Sequence, residues 1–271
     1  AVASAINSGI AAVEHDNAAV DNFVCGETEA LRALQLGGEI KAAVKAACAA
    51  GQVGVLQELL NDGRGGGGDG GSGASSPAAA AQAARAAEAQ RVVETHPYPL
   101  WAAAYNGREG VVELLLGVKG VDVNRGHPGS GATPFYVACE NGHEGVVQML
   151  LAHGETGVTY TQARTDNGST PLHVASEFGH EGVVRILLTL GETDVNQAQT
   201  TIGQTPLILA CNSGQEGVVR LLLAHATTDV NRATTDTGAT ALIAASQEGH
   251  EGVVRLMLAH AATDVNQATT D

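Results

Sequence analysis

Two hydrophobic patterns alternate along the latter two thirds of the chain. In residues 165–200 the first is a short apolar stretch, Leu172 to Phe178, closed by Gly179. The second carries Val183, Val184, Leu187 and Leu188 at i, i+3 and i+4, the spacing of one helix face. Both predict helices. Thr170 can accept from the free N–H groups of the first, and Pro171 fills the first helical position, where a missing N–H costs nothing. Gly179 can take the positive φ that ends a helix. From Gly191 to Gly203, turn-forming Thr, Asp, Asn and Gly predict an extended excursion that returns to Thr205-Pro206-Leu207.

The turn recurs almost letter for letter. Gly-(Arg/His/Gln)-Glu-Gly-Val-Val begins at Gly107, Gly142, Gly179, Gly214 and Gly249, at intervals of 35, 37, 35 and 35 residues. Such a period belongs to a helical repeat array, in which units stack on their neighbours and length counts units. The pairs Glu181/Arg185, Glu216/Arg220 and Glu251/Arg255 stand four apart on the polar face, as solvated helix charges.

Thr170-Pro171-Leu172-His173, Gly179-His180 and Asp194-Val195-Asn196 follow one another in a single unit, and this order resembles the ankyrin repeat. The resemblance covers roughly residues 95 to 271. It implies an all-α solenoid of helix-turn-helix units with projecting finger loops. Ankyrin repeats are usually near 33 residues, so the longer period here implies longer fingers. His173 alone keeps the family's histidine; Trp101, Tyr136, Ile208 and Ile243 take the slot elsewhere, so its hydrogen bond is expected to be mostly absent. Ala241 replaces the proline of the last unit. Gly157-Val-Thr-Tyr-Thr161 loses the Asp and Asn and adds two residues, so that finger is expected to differ in shape.

Upstream, the small-residue run Ala46 to Ala50, Gly51 and then Val53, Val55, Leu56, Leu59 and Leu60 repeat the pattern more loosely. Residues 41–62 are therefore read as a divergent first repeat, making about six units in all. Residues 1–40, with Leu31, Leu34, Leu36 and Ile40, are read as a helical extension capping the N-terminal end of the stack. Residues 63–94 form an insertion, a Gly-rich linker over Gly63 to Gly73 followed by the Ala-rich Pro77 to Gln90. Residues 95–271 hold five ankyrin-like repeats. The sequence stops where the glycine of a further unit is due, so Leu256 and Leu258 are expected to be exposed unless the chain continues in nature or something covers that end.

Aromatic residues make up only 3% of the chain, so the core must be built from Ala, Val and Leu. A formal net charge of −15 repels phosphate backbones and anionic lipid surfaces, which argues against nucleic acid as a partner and favours a basic protein surface. No stretch approaches 18 apolar residues, so no direct membrane insertion is expected. Cys48, Cys139 and Cys211 share one register, where Ala104, Ser176 and Ser246 stand elsewhere, so the position asks for a small buried side chain. Units in one register are too far apart for disulfides, and the compartment is read as reducing and intracellular: cytoplasmic, or an organelle interior if Ala1 is a processed N-terminus.

No catalytic constellation, cofactor motif or metal set is found. The glycine run 63–73 lacks the Gly-Lys-Ser/Thr of a phosphate loop. His153, His225 and His260 stand one per unit near the ends of second helices, where they complement the helix dipole and cannot converge on one ion. His143, His180 and His250 begin second helices. The expectation is a non-enzymatic scaffold or adaptor.

In the family this chain resembles, partners bind on the concave side, made by fingers and the exposed ends of first helices. Carried onto this sequence, those ends are Tyr105 and Asn106, Glu140 and Asn141, Glu177 and Phe178, Asn212 and Ser213, and Gln247 and Glu248. They vary between units while the flanking framework stays the same. Two aromatics, three acids and several amides suit a basic or amphipathic peptide, with Tyr105 and Phe178 as anchors. The other readings are a peripheral or linker subunit of a large complex, docked through the uncapped end and N-terminal arm, and the targeting part of a longer enzyme.

Overall fold

A computed structural model describes residues 40–60, 86–87, 89–90, 92–93, 98–153 and 158–266. The N-terminal extension 1–39, the Gly-rich linker and most of the Ala-rich run lie outside the described residues. All regular structure among the described residues is helical. They fall into two compact units divided after Arg125. The first holds two helix pairs, α1 (Ile40–Ala50) with α2 (Val53–Leu60) and α3 (Tyr98–Tyr105) with α4 (Glu109–Leu116). The second holds four: α5 (Pro134–Glu140) and α6 (Glu144–Ala152), α7 (Pro171–Glu177) and α8 (Glu181–Thr189), α9 (Pro206–Asn212) and α10 (Glu216–Ala224), α11 (Ala241–Gln247) and α12 (Glu251–Ala259).

One turn closes every pair. The residue after the turn glycine donates its N–H to a carbonyl five residues back: Gln52 to Ala47, Arg108 to Ala103, His143 to Ala138, His180 to Ala175, Gln215 to Ala210 and His250 to Ala245. That closure needs the glycine between them in the left-handed region, and Gly179 stands at φ +78. At the other end of the first helices, the hydroxyls of Thr133, Thr205 and Thr240 accept from the N–H groups of Tyr136, Ile208 and Ile243. The cap is enough without proline, since α11 starts at Ala241 in the same register.

In the second unit, first helices pack on first helices and second on second, α5 to α7 to α9 to α11 and α6 to α8 to α10 to α12. In the first unit, α1 packs on α3 and α2 on α4. Val183, Val184 and Leu187 of α8 and their equivalents in α10 are buried, as are Cys48, Cys139 and Cys211. Burial pushes the Cys211 thiol up to about 12 and raises those of Cys48 and Cys139 as well, so all three are inert packing groups at neutral pH.

Each finger ends in a tight hairpin. Arg164 donates its N–H to the Ser169 carbonyl, and Gln199 and Thr234 repeat the bond to Gln204 and Ala239. The finger after α6 departs less from the others than its sequence suggests. Gln162 donates to the Thr159 carbonyl as Gln197 does to Asp194, so the turn at the base survives the loss of Asp and Asn. The extra residues fall among 154–157, outside the described residues.

Candidate partner-binding surface

The ten residues chosen from sequence stand at the ends of the first helices, but their surroundings differ. In the first unit, the Tyr105 ring stacks on Trp101 at 5.2 Å, and Asn106 donates its amide to the Ala102 carbonyl at 2.9 Å. Asn141 of the second unit makes the same bond to Val137. Each of these carbonyls also accepts the backbone N–H of the same asparagine, so the side chains add a second bond to their own helix end. Glu140, Glu177 and Ser213 are half-buried, while Phe178, Asn212, Gln247 and Glu248 are exposed. Phe178 follows α7 as its cap residue, with 53% of its surface open and its ring 6.4 Å from that of His180.

Electrostatics tie two of these positions to a finger. Burial raises the Glu140 carboxyl above its ordinary value, the Glu177 charge adds to the rise, and Arg164 opposes it. Arg164 cannot neutralise Glu140 fully, because its guanidinium is engaged with both Asp166 oxygens, Nε to Oδ1 at 3.0 Å, and lies 5.9 Å from the Tyr136 ring centroid. Two carboxylates are thus held close enough to feel each other beside an exposed phenyl ring. An incoming cation would relieve that repulsion.

The histidine slot divides sharply. His173 is buried, its Nδ1 accepts the Thr170 N–H at 3.1 Å, and the Thr170 hydroxyl lies 2.7 Å from the same nitrogen. Nε2 therefore carries the proton and donates to the Gln204 carbonyl at 3.1 Å, bridging to the next finger. Loss of solvation pulls its pKa down to about 4. Tyr136 and Ile208 fill the slot as buried bulk, with their caps satisfied by threonine instead.

Sequence reasoning missed the job of the residue after each turn glycine. His180 Nε2 donates to the Glu140 carbonyl at 2.9 Å, Gln215 Nε2 to Glu177 at 3.2 Å, His250 Nε2 to Asn212 at 3.0 Å, and in the first unit Arg108 Nε to Ala49 at 3.2 Å. Each side chain reaches back one helix pair and covers that pair's turn glycine. The signal was the restriction of that position to Arg, His and Gln, three residues with a side-chain N–H at suitable reach. His153, His225 and His260 occupy the C-caps of α6, α10 and α12. Among the described residues no group of three or more His, Cys, Asp or Glu could hold a metal ion. A cavity of about 10 Å³ beside Thr170, Thr193 and Gln197 has room for a water molecule. None of the described helices is long and apolar enough to cross a membrane.

A family description, ankyrin repeats (3 copies), matches residues 100–199 and 189–269. No curated protein matches the chain. The matched span includes α4 to α12 with their capped starts, glycine turns and finger hairpins, and it makes up more than half of the sequence: the chain belongs to the ankyrin repeat family.

Proposed function

We propose that this chain is a non-enzymatic scaffold or adaptor that binds a basic or amphipathic protein segment along the ends of its first helices, with Phe178 as an apolar anchor and Glu177 and Glu140 facing the cation. Ankyrin repeats are in general protein–protein interaction modules, which supports the broader reading. The observation that carries the finer one is the exposed Phe178 ring beside two half-buried carboxylates, in a framework whose other large apolar side chains are mostly sealed. An aromatic anchor flanked by unneutralised charge favours Lys or Arg next to an apolar residue in the partner. Asn141, Asn212, Ser213, Gln247 and Glu248 extend the row in the second unit as secondary contacts, and Tyr105 and Asn106 are the corresponding contacts of the first unit. The acidic balance disfavours nucleic acid, no cofactor is required, and a reducing intracellular compartment suits the buried thiols.

The test is recovery of a peptide partner by display selection on the purified chain. Enriched peptides should carry a basic residue beside an apolar one and lose affinity on Phe178→Ala combined with Glu177→Lys, but not on Arg220→Ala. Unchanged binding to the double variant would show the site to be misplaced.

A further inference from the structure

Two carboxylates draw on one guanidinium beside the surface assigned to the partner. Arg164 sits in the finger ahead of α7, where its backbone is fixed twice: its N–H donates to the Ser169 carbonyl at 2.8 Å, and its carbonyl accepts the Gly168 N–H at 3.0 Å. The next residue, Thr165, donates its N–H to the Ser130 carbonyl at 3.0 Å. Any choice of position is left to the Arg164 side chain.

That side chain lies between two acids. Its Nε and Nη2 engage the two oxygens of Asp166 in the same hairpin, and its guanidinium lies 5.9 Å from the ring centroid of Tyr136, which stands one turn before Glu140 on α5. Glu140 is half-buried and draws on the same positive charge, which opposes the rise that burial and Glu177 impose on its carboxyl. The pair with Asp166 is open to water, with 44% of the Asp166 side chain exposed, so the bond is screened and little energy opposes its exchange. The end of α5 is held in turn. His180 Nε2 donates to the Glu140 carbonyl at 2.9 Å, so the acid keeps its place while the arginine can move.

We propose that Arg164 is a built-in competitor for the cation site of this surface and that Asp166 holds it off: paired with Asp166 it leaves Glu140 and Glu177 to a basic residue of the partner, and released from Asp166 it turns onto Glu140 and fills the place itself. This rests on the reading given under the proposed function. Arginine suits the part, because its planar fork stays charged and meets a carboxylate with two parallel bonds. Affinity is therefore set by two finger residues outside the row of helix ends, and whatever neutralises Asp166 closes the site.

Carboxyl NMR titration of Glu140 in the full chain, with no partner present, tests the exchange. Asp166→Asn should lower the Glu140 pKa as Arg164 moves onto it, Arg164→Ala should raise it, and the variant with both changes should titrate as Arg164→Ala does. If Asp166 acted only through its field, its removal would lower the Glu140 pKa equally with and without Arg164. The hairpin bonds at residue 164 belong to the backbone, so these variants keep the finger. With a selected peptide, Asp166→Asn should weaken binding about tenfold, Arg164→Ala should strengthen it about as much, and the double variant should bind as Arg164→Ala does. An equal fall in both backgrounds, no fall on Asp166→Asn, no rise on Arg164→Ala, or peptide affinity indifferent to both residues would each overturn the proposal. Binding that is lost in Phe178→Ala with Glu177→Lys yet ignores Arg164 and Asp166 ends this proposal and leaves the partner surface standing. Failure to select any peptide ends the partner reading, while the titration still decides what Arg164 does.

Discussion

The helix pairs α7–α8 and α11–α12 share a turn, a cap and nearly the same apolar spacing, yet among the described residues α7–α8 has neighbours on both sides and α11–α12 on one. Val195, beyond α8, is sealed, while Val265, beyond α12, is open; Ser176 is fully buried, while its equivalent Ser246 is exposed. The same side chain in the same local conformation therefore contributes different amounts to stability. What differs is the next pair, so the energetic unit of this protein is the junction between pairs.

The largest effect expected from that contrast is on pH dependence. His173 has no counterpart in α11, where Ile243 fills the slot. Its folded pKa of about 4 lies below the ordinary 6.5, so the unfolded chain takes up a proton first as pH falls. The associated stability is complete above pH 6.5 and is lost progressively toward pH 4, by roughly 3 kcal/mol. Urea midpoints at pH 7 and 4.5 should fall less in His173→Ile than in the natural chain, and an equal fall would detach the effect from this residue. Next comes burial itself. Val195→Ala should cost about 2 kcal/mol in denaturant unfolding and Val265→Ala less than about 0.5 kcal/mol, and equal losses would erase the contrast. Smallest is the hydroxyl at the small-residue position. Ser176 Oγ is buried with no partner among the described residues, whereas Ser246 Oγ donates to the Leu242 carbonyl. Ser176→Ala should therefore raise the melting temperature, by about 1 kcal/mol of stability, while Ser246→Ala should not.

Local chemistry was the legible part. A capping Thr, the Pro at the first helical position and the turn glycine act over a few residues, and in the unit of residues 165–200 the first helix lies within a residue of its expected bounds: Leu172 to Phe178 expected, Pro171–Glu177 found. Cys139 and Cys211 were placed in the core because Ala and Ser share their register. The cross-pair bonds were not legible. His180 meets Glu140 across 40 residues and Gln215 meets Glu177 across 38, offsets that depend on how far one pair slides along its neighbour. Glu144 and Gly182 likewise read as separate letters of one motif and turn out to be two halves of a contact. The row proposed to bind a partner was readable only as variable positions in a constant frame. Two of its members, Asn106 and Asn141, turn their amides back onto their own helix ends, which variation alone could not reveal.

The span of these bonds has a mechanical consequence. Within residues 126–266 the side-chain hydrogen bonds between pairs link residues 31 to 40 apart. Under tension applied at the two ends, the junctions would carry the load in series, and the weakest would give way first. The four pairs would come apart singly, each rupture releasing one repeat period of chain, about 120 Å of contour at full extension.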